Sequence, residues 1–120
     1  DGVVVRVASP PFKERDYKIT KDTNGGIRVN GMAPWGQDGG MPRTSLELNV
    51  SLNGRALKLP AGATRNLYDP NVGSLVLLTP STAVKHVLVA MMNGDGAGGY
   101  TVVWAFLNGA YVGRTVFVMF

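Results

Sequence analysis

The stretch that decides the fold is VKHVLVAMMNGDGAGGYTVVWAFLNGAYVGRTVFVMF, residues 84–120. Its pattern indicates a strand, a glycine-rich loop from Asn93 to Tyr100, a second strand, a tight turn and a third strand. The runs on either side of Asn108-Gly109 are rich in Val, Phe, Tyr, Trp and Thr, which favour strands. Asn and Gly tolerate the positive φ that both central residues of a type I′ turn require. The sequence therefore predicts a hairpin of residues 100–107 with residues 110–120.

A two-residue turn also predicts which residues face each other across this hairpin. Counting outward from the turn places Leu107 opposite Ala110 and Trp104 opposite Gly113, where the glycine leaves room for the indole. One face is then predicted to carry Tyr100, Val102, Trp104, Phe106, Tyr111 and Phe117, and the other Thr101, Val103, Ala105, Leu107, Val112, Arg114 and Val116. Because both faces are largely apolar, we expect both to be covered, by a sandwich interior plus either a second layer or a subunit interface.

The rest of the chain also predicts strands and turns. Residues 46–52 alternate strictly between apolar and polar, and Asn53-Gly54 predicts a second type I′ turn into Arg55–Leu59. Sixteen glycines and seven prolines between short apolar runs favour strands over helices. We expect a single all-β domain spanning residues 1–120, an antiparallel sandwich or partly closed barrel of about eight strands. The predicted strands outside this hairpin are 3–7, 17–20, 27–29, 46–52, 55–59, 74–79 and 83–92.

Composition argues against several functional classes. The net charge is +4, but the basic residues are dispersed, so a nucleic-acid-binding patch is not predicted. No apolar stretch is long enough for a membrane helix. The chain has no cysteine, its one histidine is His86, and no catalytic or metal-binding motif accompanies that histidine. We therefore predict no enzyme activity, no catalytic residue, no metal site and no cofactor.

The loop Asn93-Gly94-Asp95-Gly96-Ala97-Gly98-Gly99-Tyr100 is the first candidate binding surface. It lacks the further oxygen ligands of a calcium loop, and it opens a strand where a phosphate-binding loop opens a helix. Two interpretations remain open. The loop is either a plain hairpin connection or a recognition tip, in which glycines permit close backbone approach and Tyr100 supplies an amphipathic anchor.

The irregular segment 30–44 is the second candidate surface. Its glycines and prolines exclude regular structure, yet it contains Trp35. A loop of this length either packs down with its own side chains or binds a ligand. Trp35 and dispersed cations such as Arg28 and Arg43 therefore predict an alternative function, a module that binds an envelope glycan.

The run Ala97-Gly98-Gly99-Tyr100 resembles the Ser-Gly-x-Tyr motif of bacterial periplasmic lysozyme inhibitors. Gly98 and Tyr100 match the motif, Gly99 is its free position, and Ala97 stands where the motif has serine. Arg114 is a candidate for the basic residue that the family often keeps near the motif. The resemblance implies a small, non-catalytic, periplasmic or secreted β protein whose loop enters the lysozyme cleft.

The leading functional prediction is thus a non-enzymatic, periplasmic or secreted domain that binds a protein, such as a lysozyme, by inserting its glycine loop. The module that binds an envelope glycan is the alternative. A third alternative is a structural subunit, in which the terminal strand pairs across a homodimer. The predicted partner-binding residues are Asn93, Asp95, Gly96, Gly98, Gly99, Tyr100, Trp35 and Arg114.

Overall fold

A computed structural model of the chain describes residues 2–37, 40–80, 82, 84–93 and 99–118. The described residues form nine strands and three short 3₁₀ turns at Glu14–Asp16, Ala61–Ala63 and Val72–Ser74. All strand pairs are antiparallel and none of the sheets closes on itself. The all-β prediction is confirmed. The strands are β1 Val3–Ala8, β2 Ile19–Lys21, β3 Ile27–Val29, β4 Glu47–Leu52, β5 Arg55–Ala56, β6 Val76–Leu77, β7 His86–Asn93, β8 Tyr100–Leu107 and β9 Ala110–Phe117.

The largest sheet has the order β6-β7-β8-β9. β7 and β8 pair along their whole length, from His86 opposite Leu107 to Asn93 opposite Tyr100. The β8–β9 turn has φ of 51° at Asn108 and 79° at Gly109, as its Asn-Gly sequence predicts. The predicted hairpin is therefore confirmed.

The predicted pairing of β8 with β9 is correct near the turn and wrong beyond it. Phe106 faces Tyr111, but an irregularity follows and Gly113 faces Ala105, so that Trp104 faces Arg114. The extra residue in β9 is a β-bulge, and a one-residue shift exchanges the faces of all later side chains. Arg114 and Val116 consequently share the Trp104 face, whereas Phe117 lies on the opposite face. The prediction that Gly113 makes room for the indole is wrong.

A second sheet of order β1-β4-β5 covers one side of the four-stranded sheet. The alternation in residues 46–52 places Leu46, Leu48, Val50 and Leu52 inside. The predicted turn at Asn53-Gly54 is confirmed by φ values of 50° and 81°. These side chains share one apolar cluster with the inward side chains of β7 and β8, so the two sheets form a sandwich. The cluster's most deeply buried members include Val87, Val89, Met91, Val102 and Trp104.

The β2–β3 hairpin turns at Asn24-Gly25-Gly26, between the predicted strands 17–20 and 27–29, and the described residues of the irregular segment 30–44 pack onto the chain around Leu67. The Trp35 amide donates to the carbonyl of Asn66, and the Tyr68 amide donates to the carbonyl of Trp35. Gly36 has φ of 97°, and a Cβ there would collide with the Tyr68 carbonyl oxygen. The segment thus packs down by its own contacts.

The predicted buried strand at 74–79 is only partly correct. Its paired part is Val76–Leu77, preceded by the 3₁₀ turn Val72–Ser74. Leu77 packs against the core, but Val76 and Leu78 are half exposed. The apolar run at 74–79 also predicts a buried strand, which is wrong for Val76 and Leu78 because alternate side chains of a strand lie on opposite sides of its sheet, and here one side faces away from the core.

Candidate functional site

The predicted glycine tip lies mostly outside the described residues, because Asp95, Gly96 and Gly98 belong to the undescribed segment 94–98. The structure does describe where the loop leaves and re-enters the sheet. Asn93 ends β7 directly opposite Tyr100, which begins β8. Gly99 precedes Tyr100 and is half-buried. The lysozyme-cleft role of the tip stays a prediction.

The side chains at the base of this loop point into the molecule. Tyr100 is only 3% exposed, and its hydroxyl donates to the carbonyl of Tyr68 at 3.0 Å. Asn93 is 1% exposed, and its Oδ1 accepts from the Asn71 amide at 2.7 Å. In these positions neither side chain can reach a partner without breaking the bonds it makes. Tyr100 thus anchors the loop base to the protein's own core, and its predicted role as an amphipathic anchor for a partner stays a prediction.

Burial also raises the pKa of the phenol groups of Tyr100 and Tyr68, the two residues that this hydrogen bond joins. Burial, reinforced by the charge of Asp69, raises the pKa of Tyr100 well above its ordinary value of 10. Burial, with a smaller contribution from Tyr17, raises the pKa of Tyr68 to about 12. A tyrosine with a raised pKa stabilises the fold fully below pH 10, and this contribution is lost as the pH rises towards the folded-state pKa.

We expect the free energy of unfolding to fall above pH 10, and Tyr100→Phe to weaken that fall. Up to about 1.4 kcal/mol per pH unit belongs to Tyr100, since only its unfolded form ionises in this range. At pH 7 the same variant should be less stable by about 1–2 kcal/mol, because the Tyr68 carbonyl loses its buried donor. Urea unfolding between pH 7 and 11 measures both effects. Identical alkaline slopes for the two proteins would contradict the assignment.

The other two predicted site residues are also part of the fold. Trp35 is half-buried against the core, with its ring 6.1 Å from that of Tyr100. Arg114 points inward, and its Nη1 donates to the Ala63 carbonyl at 3.3 Å. Burial lowers the pKa of Arg114, although Tyr111 partly offsets this. Arg114 therefore supports the core, and only Trp35 keeps a surface that a glycan could touch.

The cations named for glycan binding do not assemble into one site with Trp35. Arg28 lies 3.8 Å from the carboxylate of Asp22 and donates to the carbonyl of Gly31. The backbone amide of Arg43 donates to Asp69, while its side chain is exposed. No hydrogen bond in the described residues joins the side chain of either cation to Trp35. The glycan-binding role stays a prediction without a defined site.

A surface that the sequence analysis did not assign is the side of the four-stranded sheet that faces away from the core. We call it the outer sheet face. Seven of the eleven large apolar side chains that are exposed in the described chain lie here, including Leu78 at 53%, Met92 at 58% and Val112 at 59% exposure. The pairing of β6 to β9 defines its members as Val76, Leu78, His86, Leu88, Ala90, Met92, Thr101, Val103, Ala105, Leu107, Ala110, Val112, Gly113, Thr115 and Phe117.

The outer sheet face carries no Asp, Glu, Lys or Arg side chain among its members. Its only titratable group is His86, which lies at the end of β7. Soluble single domains seldom leave so continuous an apolar surface in water, and such surfaces usually mark contact sites. The sequence signal for it was the second apolar face of the hairpin, which predicted a cover by either a second layer or a subunit interface.

The free edge of β9 borders the outer sheet face but differs from it in chemistry. In the described part of the chain no strand pairs with that edge. The edge contains the bulge beside Gly113 and the inward-pointing Arg114. Bulges and inward charges are two of the devices by which natural sheets resist pairing with another strand. The edge of β9 is thus protected against pairing with another strand, whereas the outer sheet face has no comparable protection against contact.

A groove of about 750 Å³ lies where the β4–β5 and β8–β9 turns approach each other. Leu52, Leu57 and Val84 contribute its apolar part, and no carboxylate is among its described lining residues. Three cations line it: Arg55 and Lys58 from one segment, and Lys85 from a distant one. None of the lining residues belongs to the outer sheet face, so the two surfaces are separate.

No protein-family model matches the chain, and neither the curated proteins nor the solved structures include a match. Within the described ranges no three His, Asp or Glu side chains come together as metal ligands. No helix in those ranges has the length and apolar character needed to cross a bilayer.

Proposed function

We propose that this domain is a non-catalytic binding module that acts by burying its outer sheet face against another protein surface. The observation that carries the proposal is the exposure of seven large apolar side chains on one uncharged sheet face. Burying apolar surface stabilises a complex by about 25 cal/mol per Å², and no charged group on this face has to be desolvated.

The fold supports this role because the outer sheet face is rigidly held. Its strands β7, β8 and β9 are each eight residues long, and their other side forms the sandwich core. A backbone fixed by strand pairing loses little further freedom on binding, which favours a preformed contact surface.

Site-specific photocrosslinking in the native host tests the proposal. A benzophenone amino acid at Leu88 or Val112, both exposed on the outer sheet face, should give a discrete crosslinked species. The matched control is Val4, which is 46% exposed on β1 of the other sheet and should give none. Crosslinks that are absent at both face positions, or equally strong at Val4, would refute the proposal.

A further inference from the structure

We infer that the occupant of the outer sheet face is a second copy of this chain, packed face to face about a two-fold axis. This inference rests on the proposed function and names its partner. The two outer faces would form the inner layer of a larger sandwich, with sheets about 10 Å apart as in other stacked sheets.

Charge favours an identical partner over a charged one. The chain carries a net charge of +4, yet none of its Lys or Arg side chains lies on the outer sheet face. An acidic partner would find no cation there to pair with. A second copy offers an equally uncharged face and keeps the like charges of the two molecules away from the contact.

The protected edge of β9 argues for face packing over strand pairing. Continuation of the sheet through β9 would have to accommodate the bulge beside Gly113, which interrupts regular pairing. Packing face to face leaves that edge unused. It also buries the whole outer sheet face of both copies in one isologous contact, so that association stops at two copies.

The size of the face sets the expected affinity. Three strands of eight residues and the short β6 cover about 400 Å² of sheet, from a strand spacing of about 4.8 Å and a rise of about 3.3 Å per residue. Two such faces together cover about 800 Å², which is in the range of weak and transient protein complexes. We therefore expect a reversible dimer with a dissociation constant of about 10–100 μM.

Sedimentation equilibrium of the purified chain between 5 and 500 μM tests the inference. The wild-type chain should shift from monomer to dimer over this range, and added NaCl should strengthen the dimer because salt screens the repulsion between two +4 molecules. A contact made of ion pairs would weaken with salt. A wild-type monomer at 500 μM, a dimer that weakens with salt, or continued growth beyond two copies would overturn the inference.

Two face variants and one control locate the contact. Leu88→Lys and Val112→Lys should each weaken dimerisation at least tenfold, since each would bury an unpaired ammonium group. Val4→Lys adds the same charge to an exposed apolar position of the other sheet and should dimerise like wild type. Both mutated face residues are exposed in the monomer, and far-UV circular dichroism checks that the variants fold. Dimerisation that persists in folded Leu88→Lys and Val112→Lys would refute this contact.

The outcomes separate the inference from the proposed function. A monomer in sedimentation, together with crosslinks in the host from Leu88 to a protein of different mass, would refute the second copy and retain the binding face. Absence of crosslinks at both face positions would refute the function itself. A dimer in sedimentation with host crosslinks at twice the chain mass supports both.

Discussion

Trp104→Phe should lower the free energy of unfolding by about 2–4 kcal/mol, the largest effect that we expect from a change of one aromatic ring to another. Trp104 is fully buried in the sandwich core, and its indole Nε1 donates to the Ala63 carbonyl at 2.7 Å. Phe leaves part of the indole volume empty and removes this donor. The Ala63 carbonyl still accepts the longer hydrogen bond from Arg114, so it is not left without a donor.

Trp35→Phe is the matched control because it makes the same chemical change in a half-buried ring. The Trp35 indole packs against the core from the irregular segment, and we expect a cost of about 1 kcal/mol. Urea unfolding followed by circular dichroism compares the two variants without relying on tryptophan emission. Equal costs would show that the core position of Trp104 is not special.

Arg114→Lys extends the same experiment to the second donor on Ala63. The guanidinium reaches this carbonyl from the strand opposite Trp104, and a lysine lacks the fixed fork of donors that the guanidinium offers. Arg114→Lys should lower the free energy of unfolding more in the Trp104→Phe variant than in the wild type. In that variant Arg114 is the remaining side-chain donor to the Ala63 carbonyl. Such non-additivity is the signature of two groups that share one partner.

Local chemistry made the turns predictable from sequence alone. Asn53-Gly54 and Asn108-Gly109 adopt positive φ at both positions, which few other residue pairs accept, so the two hairpins followed from four residues. The bulge in β9 did not follow, although a glycine inside a strand is itself a signal for one. Gly113 was interpreted as space for Trp104, and that choice placed Arg114 and Phe117 on the wrong faces.

The candidate site was harder to predict because it depends on contacts between distant segments. Tyr100 and Asn93 flank a glycine loop and were predicted to bind a partner, yet Tyr68 and Asn71 supply the bonds that hold them inside. The apolar second face of the final hairpin was visible in the alternation of β8. Whether another layer of the same chain covers it could be decided only from the tertiary arrangement.

Asp69→Ala should lower the free energy of unfolding by about 2–3 kcal/mol and release the irregular segment from the sandwich. The carboxylate Oδ1 accepts from the backbone amides of Arg43 and Thr44, each at 2.9 Å, and Oδ2 accepts from the Gln37 side chain. One side chain thus holds the segment at Gln37 and at Arg43–Thr44, on either side of its undescribed residues. The Asp69 amide donates back to the Thr44 carbonyl at 3.0 Å.

Two further variants separate the lost acceptor from the backbone conformation. Asp69 has φ of 48°, which alanine adopts with strain and glycine without it. If the missing acceptor is the main cause, Asp69→Gly should stay well below wild type and exceed Asp69→Ala by no more than the strain of about 1 kcal/mol. Asp69→Asn, which keeps one acceptor oxygen and tolerates this φ, should lose only about 1 kcal/mol. Urea unfolding ranks the three proteins, and full recovery in Asp69→Gly would assign the effect to strain instead.

The emission of Trp35 reports the segment itself. Because Trp35 pairs with the chain around Leu67, only two positions before Asp69, release of the segment should expose the indole and shift its emission to longer wavelength. Trp104 lies in the core and should not change while the sandwich stays folded. A red shift at urea concentrations below the main transition would therefore show that the segment detaches first. A single transition for both signals would show that Asp69 stabilises the whole domain as one unit.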